Sequence, residues 1–210
     1  MKSRLKWMMI GMVYGLISCQ TVPTNIELVQ SMLVQTTMES TADFSSYASY
    51  SLALDTLGYF TIDDPLDSVI TGSYAQQVTA QIRFNMDKAG YTRVANDQNP
   101  NLAVSAFILR DYGVIQSLSY PGYYSTYSGI FYPKCYGFKN YYGYPYLNNL
   151  NFNTATLVIE IIDMKNKDTQ GKSKLLWTAY IGDLINTVDI NSRTISAVDD
   201  SFAQSKYIKK

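Results

Sequence analysis

The sequence predicts a single α+β domain: a mostly antiparallel or mixed sheet with two helices on one face, interrupted by a long tyrosine-rich insertion. Three observations support this prediction. Apolar residues recur every fourth position across residues 73–89, as in an amphipathic helix. Residues 156–164 and 175–184 are apolar and flank a polar turn, as in a β-hairpin. Strands with helices gathered on one face form a two-layer α+β domain.

The first part of the domain contains two predicted strands. Residues 31–38 and 48–54 alternate apolar and polar positions, which is typical of half-buried strands. A turn is predicted at residues 43–47. Residues 55–68 show no clear period, so we expect an irregular connection there.

The helix at residues 73–89 is the clearest element of the pattern. Ser73 or Thr71 is expected to cap its start. Gly90 follows its last turn, where a left-handed residue is favoured. Its buried stripe is predicted to comprise Tyr74, Val78, Ile82 and Met86.

The second part contains a central strand, the hairpin and a closing helix. Residues 102–109 are apolar on both faces, which indicates a strand covered on both sides. The closing helix is predicted over residues 188–205, with Thr187 or Asp189 as its cap. Its expected buried residues are Ile195, Val198 and Phe202.

The amino terminus has the pattern of a bacterial lipoprotein signal. Basic residues within the first six positions precede an uncharged run over residues 7–18. This run is shorter than the roughly 20 residues that cross a bilayer. Leu16, Ser18 and Cys19 resemble a lipobox, in which Cys19 would carry the lipid. We therefore predict a signal peptide at residues 1–18, a tether at 19–30 and the domain at 31–210; the alternative is an ordinary Cys19 in an uncleaved anchor.

The residue after the lipidated position bears on location. An Asp there often marks inner-membrane lipoproteins, whereas this chain has Gln20. Residues 20–25 carry no acidic run of the kind associated with surface export. We predict an outer-membrane protein, anchored through lipid on Cys19 and facing the periplasm.

Composition excludes several classes of function. The chain has no histidine, so a Ser-His-Asp or Cys-His catalytic set is ruled out. Loss of the signal removes three basic residues and no acidic one, which leaves a slightly acidic chain and argues against nucleic-acid binding. Cys135 is the other thiol, either buried or paired with another molecule. We predict no cofactor, no metal site and no enzymatic activity.

Short motifs are spread along the chain: Asp43-Phe44-Ser45-Ser46-Tyr47 with Tyr50, Lys88-Ala89-Gly90-Tyr91, Asn101-Leu102-Ala103-Val104, Thr156-Leu157-Val158-Ile159 through Asp163, Leu176-Trp177, and Phe202-Ala203-Gln204-Ser205 with Tyr207. Together these motifs resemble the DUF4136 lipoproteins, in a variant seen in Bacteroidetes. The resemblance implies lipidation, an envelope location and an α+β fold, but no reaction or catalytic residue. The family usually has Asp where this chain has Asn101, which is a departure from the pattern.

Residues 112–153 form a Tyr, Gly and Pro-rich insertion. Eleven tyrosines lie between Tyr112 and Tyr146, a density that neither helical nor strand periodicity explains. Long loops inside compact domains are usually functional or disordered, and disordered segments contain few aromatic residues. Either the rings cover the sheet, or they form a recognition surface. The candidate binding residues are Tyr120, Tyr123, Tyr124, Tyr127, Tyr132, Tyr136, Tyr141 and Tyr142.

Acidic residues offer weaker candidates. Asp63, Asp64 and Asp67 are close in sequence but lack the spacing of a calcium loop, and Asp199 and Asp200 are expected to be surface charges. We therefore predict an envelope lipoprotein that binds an envelope protein or a glycan, without catalysis, through its Tyr-rich segment. The alternatives are a structural lipoprotein whose segment covers its own core and, third, a glycan hydrolase that uses carboxylates.

Overall fold

The computed structural model describes residues 32–61, 68–110, 155–167, 169, 173–184 and 189–210. Residues 31–210 form one compact unit. Its elements are β1 (Val34–Met38), a 3-10 turn (Phe44–Ser46), β2 (Ser49–Leu52), β3 (Thr56–Thr61), β4 (Ser68–Thr71), α1 (Ser73–Lys88), β5 (Thr92–Arg93), β6 (Leu102–Arg110), β7 (Thr156–Asp163), β8 (Lys174–Ile181) and α2 (Ile190–Gln204).

The eight strands found among the described residues form one mixed sheet. Its main order is β1-β8-β7-β6-β2-β5, and β3 pairs with both β4 and β6. The pairs β1–β8, β8–β7 and β7–β6 are antiparallel, whereas β2 and β3 run parallel to β6. The α+β prediction is therefore confirmed.

Both helices lie on the same face of the sheet, where they share one apolar core. Val78, Ile82 and Met86 of α1 are fully buried in that core, as the four-residue period predicts, whereas Tyr74 is partly exposed. The buried positions of α2 differ from the prediction. Val198 is fully buried, but Ile195 and Phe202 only flank the core. The other buried residues of α2 are Thr194, Ala197 and Ser201.

The prediction of an irregular connection at residues 55–68 is wrong in part. It contains β3 and the first residue of β4, which pair with each other and place β3 against β6. Period-two alternation is weak in Thr56–Thr61 because Gly58 occupies one of its positions on the sheet. Tertiary pairing therefore creates a strand that the local pattern does not show.

The helix caps follow the sequence at two of the three helix ends for which a cap is predicted. Gly72, with φ of 99°, precedes α1 without a side-chain cap, so neither Ser73 nor Thr71 has the predicted role. Gly90 adopts the expected left-handed conformation, with φ of 98°. Asp189 caps α2 by accepting a hydrogen bond from the Ser192 backbone N–H.

Strand register defines two ends of the domain, here called the upper and lower poles. At the upper pole, Val34 is aligned with Ile181, and Ile181 with Leu157. Leu109 is paired there with Thr156. The lower pole lies at the other end of the same strands, where Leu102 is paired with Asp163.

Candidate functional site

Asp163 lies at the centre of a buried hydrogen-bond network at the lower pole. Its Oδ2 accepts from the Tyr47 hydroxyl at 2.7 Å and from Asn166 Nδ2 at 3.0 Å. Its Oδ1 accepts from the backbone N–H groups of Lys165 at 2.9 Å and Asn166 at 2.8 Å. The carboxylate therefore closes the turn after β7 and joins it to the segment before β2.

Burial and the neighbouring carboxylate raise the pKa of Tyr47 to about 12. Burial, with a hydrogen bond to Asp87, also raises the pKa of Tyr50. The Tyr91 hydroxyl donates to the Phe44 carbonyl at 3.0 Å, and burial raises its pKa as well. These phenols therefore keep their protons at neutral pH and act as donors that join elements of the framework.

Asn101 connects the turn before β6 to the start of β2. Its Oδ1 accepts from the backbone N–H groups of Ala48 at 2.9 Å and Ser49 at 3.4 Å. Its own backbone N–H donates to the Ser49 hydroxyl at 3.1 Å. The side chain thus works as a hydrogen-bond acceptor, a role that needs an oxygen but no negative charge.

The carboxyl-terminal residues complete the lower pole. Trp177 is buried and its Nε1 donates to Ser205 Oγ at 2.9 Å. The backbone N–H of Lys210 donates to the Ala89 carbonyl at 3.0 Å. The motif residues Tyr47, Tyr50 and Tyr91 therefore share one pole with Trp177, where all of them hold the framework together.

The sheet face opposite the helices, here called the far face, carries a polar row across four strands. Register aligns Ser105 with Glu160, Glu160 with Thr178, and Thr178 with Thr37. Opposed side chains on one face have Cβ atoms about 5 Å apart. Ser105, Glu160 and Thr178 are each at most 1% exposed. This buried glutamate in a central strand is a feature that sequence reasoning missed, because its only local signal is one acid within an apolar run.

A cleft of about 340 Å³ opens where this row reaches the edge strand β1. Glu39 and Lys174 form an ion pair of 3.2 Å beside it. Partial burial would raise the pKa of Glu39, but hydrogen bonds from Lys174 and Thr41, with the lysine charge, lower it. The cleft lining combines polar and apolar side chains, among them Gln35, Thr37, Leu175, Thr178 and Tyr180.

The residues predicted to act directly lie outside the described part of the chain. This applies to the predicted lipidation site Cys19, to Cys135 and to the aspartates at positions 63, 64 and 67. It also applies to Tyr120, Tyr123, Tyr124, Tyr127, Tyr132, Tyr136, Tyr141 and Tyr142.

One predicted surface charge has a structural role. Asp199 of α2 accepts from Gln81 Nε2 at 2.6 Å and from Asn85 Nδ2 at 2.7 Å. It therefore bridges α2 to α1. Asp200, by contrast, is exposed as expected.

Within the described ranges, no three or more His, Cys, Asp or Glu residues are grouped to hold a metal ion. None of the helices in those ranges has the length and hydropathy needed to span a bilayer.

Comparison with known proteins identifies a family and a fold. The family model described as "Domain of unknown function (DUF4136)" matches residues 34–205. A crystal structure of a DUF4136 family protein from Bacteroides thetaiotaomicron matches with a TM-score of 0.61 and 24% identity, over 86% of this chain and 98% of that one. A PDZ domain protein from Parabacteroides distasonis has a TM-score of 0.39 and 17% identity, over 86% of this chain and 37% of that one. No curated protein matches.

Proposed function

This chain belongs to the DUF4136 family, and on that premise we propose that it is an envelope lipoprotein with a non-catalytic binding role. It is anchored in the outer membrane by lipid on Cys19 and faces the periplasm. Its Tyr-rich segment, residues 112–153, contacts an envelope protein or a glycan. Tyrosine suits either partner because it combines a large apolar ring with a hydroxyl that forms hydrogen bonds.

The position of the chain connections is the observation that carries this proposal. The domain begins at the upper pole, because β1 starts there beside the end of β8. The Tyr-rich segment is bounded by Arg110 of β6 and Thr156 of β7, at the same pole. The start of β1 and both ends of the Tyr-rich segment therefore lie at one pole of the domain, which supports a role for that pole in the envelope.

Three of the described acids have structural roles, which supports binding over catalysis. Glu39 is paired with Lys174, Asp87 accepts from Tyr50, and Asp163 accepts from Tyr47. Each of these carboxylates is used to join framework elements. A glycosidase would instead need two carboxylates facing one cleft across the scissile bond.

The anchor is tested by Cys19→Ala in cells. A single diacylated cysteine supplies two acyl chains, which suffice for stable membrane association. We expect the native chain in the membrane fraction and the Cys19→Ala chain in the soluble fraction or retained as an unprocessed precursor. Equal membrane association of a processed Cys19→Ala chain would contradict lipidation.

The binding role is tested by photo-crosslinking in cells. p-Benzoylphenylalanine in place of Tyr124 is expected to give discrete adducts. The same probe in place of Tyr207, which is 40% exposed at the lower pole, is the matched control. If digestion with a peptidoglycan hydrolase lowers the apparent mass of an adduct, its partner is a glycan. If the apparent mass is unchanged, the partner is a protein. Identical patterns from both positions, or none from Tyr124, would contradict the proposal.

A structural lipoprotein whose segment covers its own core is the second candidate. The burial of the far face favours it, because both described helices lie on the other face. In that case the Tyr124 probe reacts within the chain itself. The loss of intermolecular adducts would then separate this function from the first.

A further inference from the structure

An open cleft of about 560 Å³ lies between the carboxyl-terminal ends of α1 and α2 and is here called the helix-end cleft. Lys88 and Ala89 line it at the end of α1, and Phe202 and Ala203 line it from α2. Small-molecule sites have volumes of about 300–1,000 Å³, so this cleft is large enough to hold a ligand. None of its described lining residues belongs to the hydrogen-bond network around Asp163.

The chain that follows α2 forms one wall of the cleft and is held in place by contacts at both of its ends. Ile208 is buried in the core that the helices share. The backbone N–H of Lys210 donates to the Ala89 carbonyl at 3.0 Å. Asp199 accepts from Gln81 Nε2 at 2.6 Å and so joins the two helices beside the cleft. The walls are therefore bonded to one another, and the cleft is a built feature of the fold.

The helix-end cleft carries positive charge that the framework does not use. Lys88, Lys206 and Lys209 line it, and within the described part of the chain their side chains form no ion pair. Asp199 also lines the cleft, but its carboxylate is already an acceptor for two amides of α1. The negative end of a helix dipole explains a lysine at the position of Lys88, but its effect fades within one turn and does not reach Lys209. The three ammonium groups are therefore available to an anion.

Lysine in place of arginine indicates which anion fits. Arginine forms two parallel hydrogen bonds to a carboxylate, whereas the lysine ammonium acts as a point charge and binds phosphate in that way. Among the described lining residues there are three lysines and no arginine. A phosphate monoester carries about −1.5 to −2 charge at pH 7, so it matches several lysines better than a single carboxylate does.

Aromatic side chains provide the cleft with an apolar wall. Phe84 is 57% exposed, which is unusual for a large apolar side chain, and Lys88 Nζ lies 6.0 Å from the centre of its ring. Phe202 is half-buried, and its ring centroid lies 5.3 Å from that of Trp177. The Phe84 ring is therefore free to pack against an apolar group of a ligand whose charge is held by the lysines.

We propose that the helix-end cleft binds a phosphate monoester whose organic part is apolar. Lys88, Lys206 and Lys209 hold the phosphate, and Phe84 packs against the organic group. This site is independent of the proposed envelope-binding function, because it uses no residue of the Tyr-rich segment.

Phenyl phosphate is the probe that tests the site, with inorganic phosphate for comparison. The full chain, labelled with ¹⁵N and held in the uncharged detergent dodecyl maltoside, is titrated at low salt and followed by NMR. Saturable shifts are expected at the backbone amides of Ala89, Ala203 and Lys206. Phenyl phosphate should bind at least about threefold more tightly than inorganic phosphate, because its ring adds buried apolar area. Shifts spread over the surface without saturation would overturn the proposal.

Two lysine variants separate the cleft from general charge. Lys209→Gln should weaken the binding of phenyl phosphate about fivefold, since it removes a charge-assisted hydrogen bond. Lys167→Gln removes the same charge from an exposed position outside the cleft and should change the affinity by less than about twofold. Both lysines are exposed, so both variants should keep the native circular dichroism spectrum. Equal losses of affinity in the two variants would overturn the proposal.

Phe84→Ala tests the apolar part of the ligand. Because Phe84 is exposed, its removal should leave the fold intact. This variant should bind phenyl phosphate no more tightly than inorganic phosphate, while its affinity for inorganic phosphate stays unchanged. If Phe84→Ala keeps the full preference for phenyl phosphate, the assignment of an apolar organic group is wrong.

Discussion

The two poles of this domain differ in what their residues do. At the lower pole, Tyr47, Asn101 and Asp163 are committed to hydrogen bonds within the framework. At the upper pole, β1 begins and the Tyr-rich segment departs between β6 and β7. The difference teaches that the residues by which the family is recognised stabilise the fold. The residues proposed to act on a partner are attached at the opposite pole, which agrees with the general separation of fold from function.

The largest loss of stability is expected from Asp163→Ala, at the lower pole. This change removes four hydrogen bonds and leaves the Tyr47 hydroxyl buried without its acceptor. We expect a loss of about 3 kcal/mol in the free energy of unfolding, measured by urea titration. Asp163→Asn keeps an oxygen acceptor and should cost about 1 kcal/mol. Equal losses of unfolding free energy for the two variants would show that the hydrogen bonds of Asp163 contribute little to stability.

Alkaline pH should reduce the stability that the hydrogen-bond network at the lower pole contributes. The Tyr47 phenol has a pKa of about 12 in the folded protein. An unfolded tyrosine ionises near pH 10. The native state therefore holds this proton more tightly, so its contribution to stability is complete below about pH 10 and is lost as the pH rises toward 12. Urea midpoints followed by circular dichroism should fall across this range, and Tyr47→Phe should make the fall smaller. A fall of unchanged size in Tyr47→Phe would exclude Tyr47 as a cause.

A smaller effect is expected near the upper pole, from Asp189→Ala. Asp189 caps α2 through the Ser192 N–H, and hydrogen bonds from Ser192 lower the pKa of its carboxyl group. The site is exposed, so water can replace the lost acceptor. We expect Asp189→Ala to lower the midpoint temperature of thermal unfolding by less than Asp163→Ala does. A larger effect at Asp189 would reverse the comparison between the poles.

The smallest effect is expected from Asn101→Asp, which restores the residue usual in the family. The Asn101 oxygen accepts from Ala48 and Ser49, and a carboxylate can accept the same bonds. The unfolding free energy should therefore change by less than about 1 kcal/mol, whereas Asn101→Leu should lose more because it removes the acceptor. If Asn101→Asp and Asn101→Leu are equally destabilising, the acceptor role is wrong.

Much of the fold could be predicted where periodicity is strong. The helix with Val78, Ile82 and Met86 and the paired strands β7 and β8 were expected from their patterns. β3 was missed because Gly58 interrupts its pattern, and β5 because it has only two residues. Both form through pairing with strands distant in sequence, which local propensity does not report.

The candidate site could be predicted less well. Glu160 lies in a run of apolar residues, and nothing local indicates that Ser105 and Thr178 lie beside it. Their alignment depends on the register of three strands. Contacts of this kind are set by the pleat and by pairing, so one residue of slip would have turned Glu160 toward the helices.

The sequence by itself determined the α+β class, the positions of the two helices and the expectation of a lipid anchor at Cys19. Those properties follow from local patterns of hydrophobicity and charge. Only the tertiary structure decided that Tyr47 reaches Asp163, and that Ser105, Glu160 and Thr178 form one buried row. It also decided that the domain starts at the pole where the Tyr-rich segment attaches. The physical reason is that strand register and direction depend on partners far apart in the chain, whose pairing is selected by burial of the whole sheet.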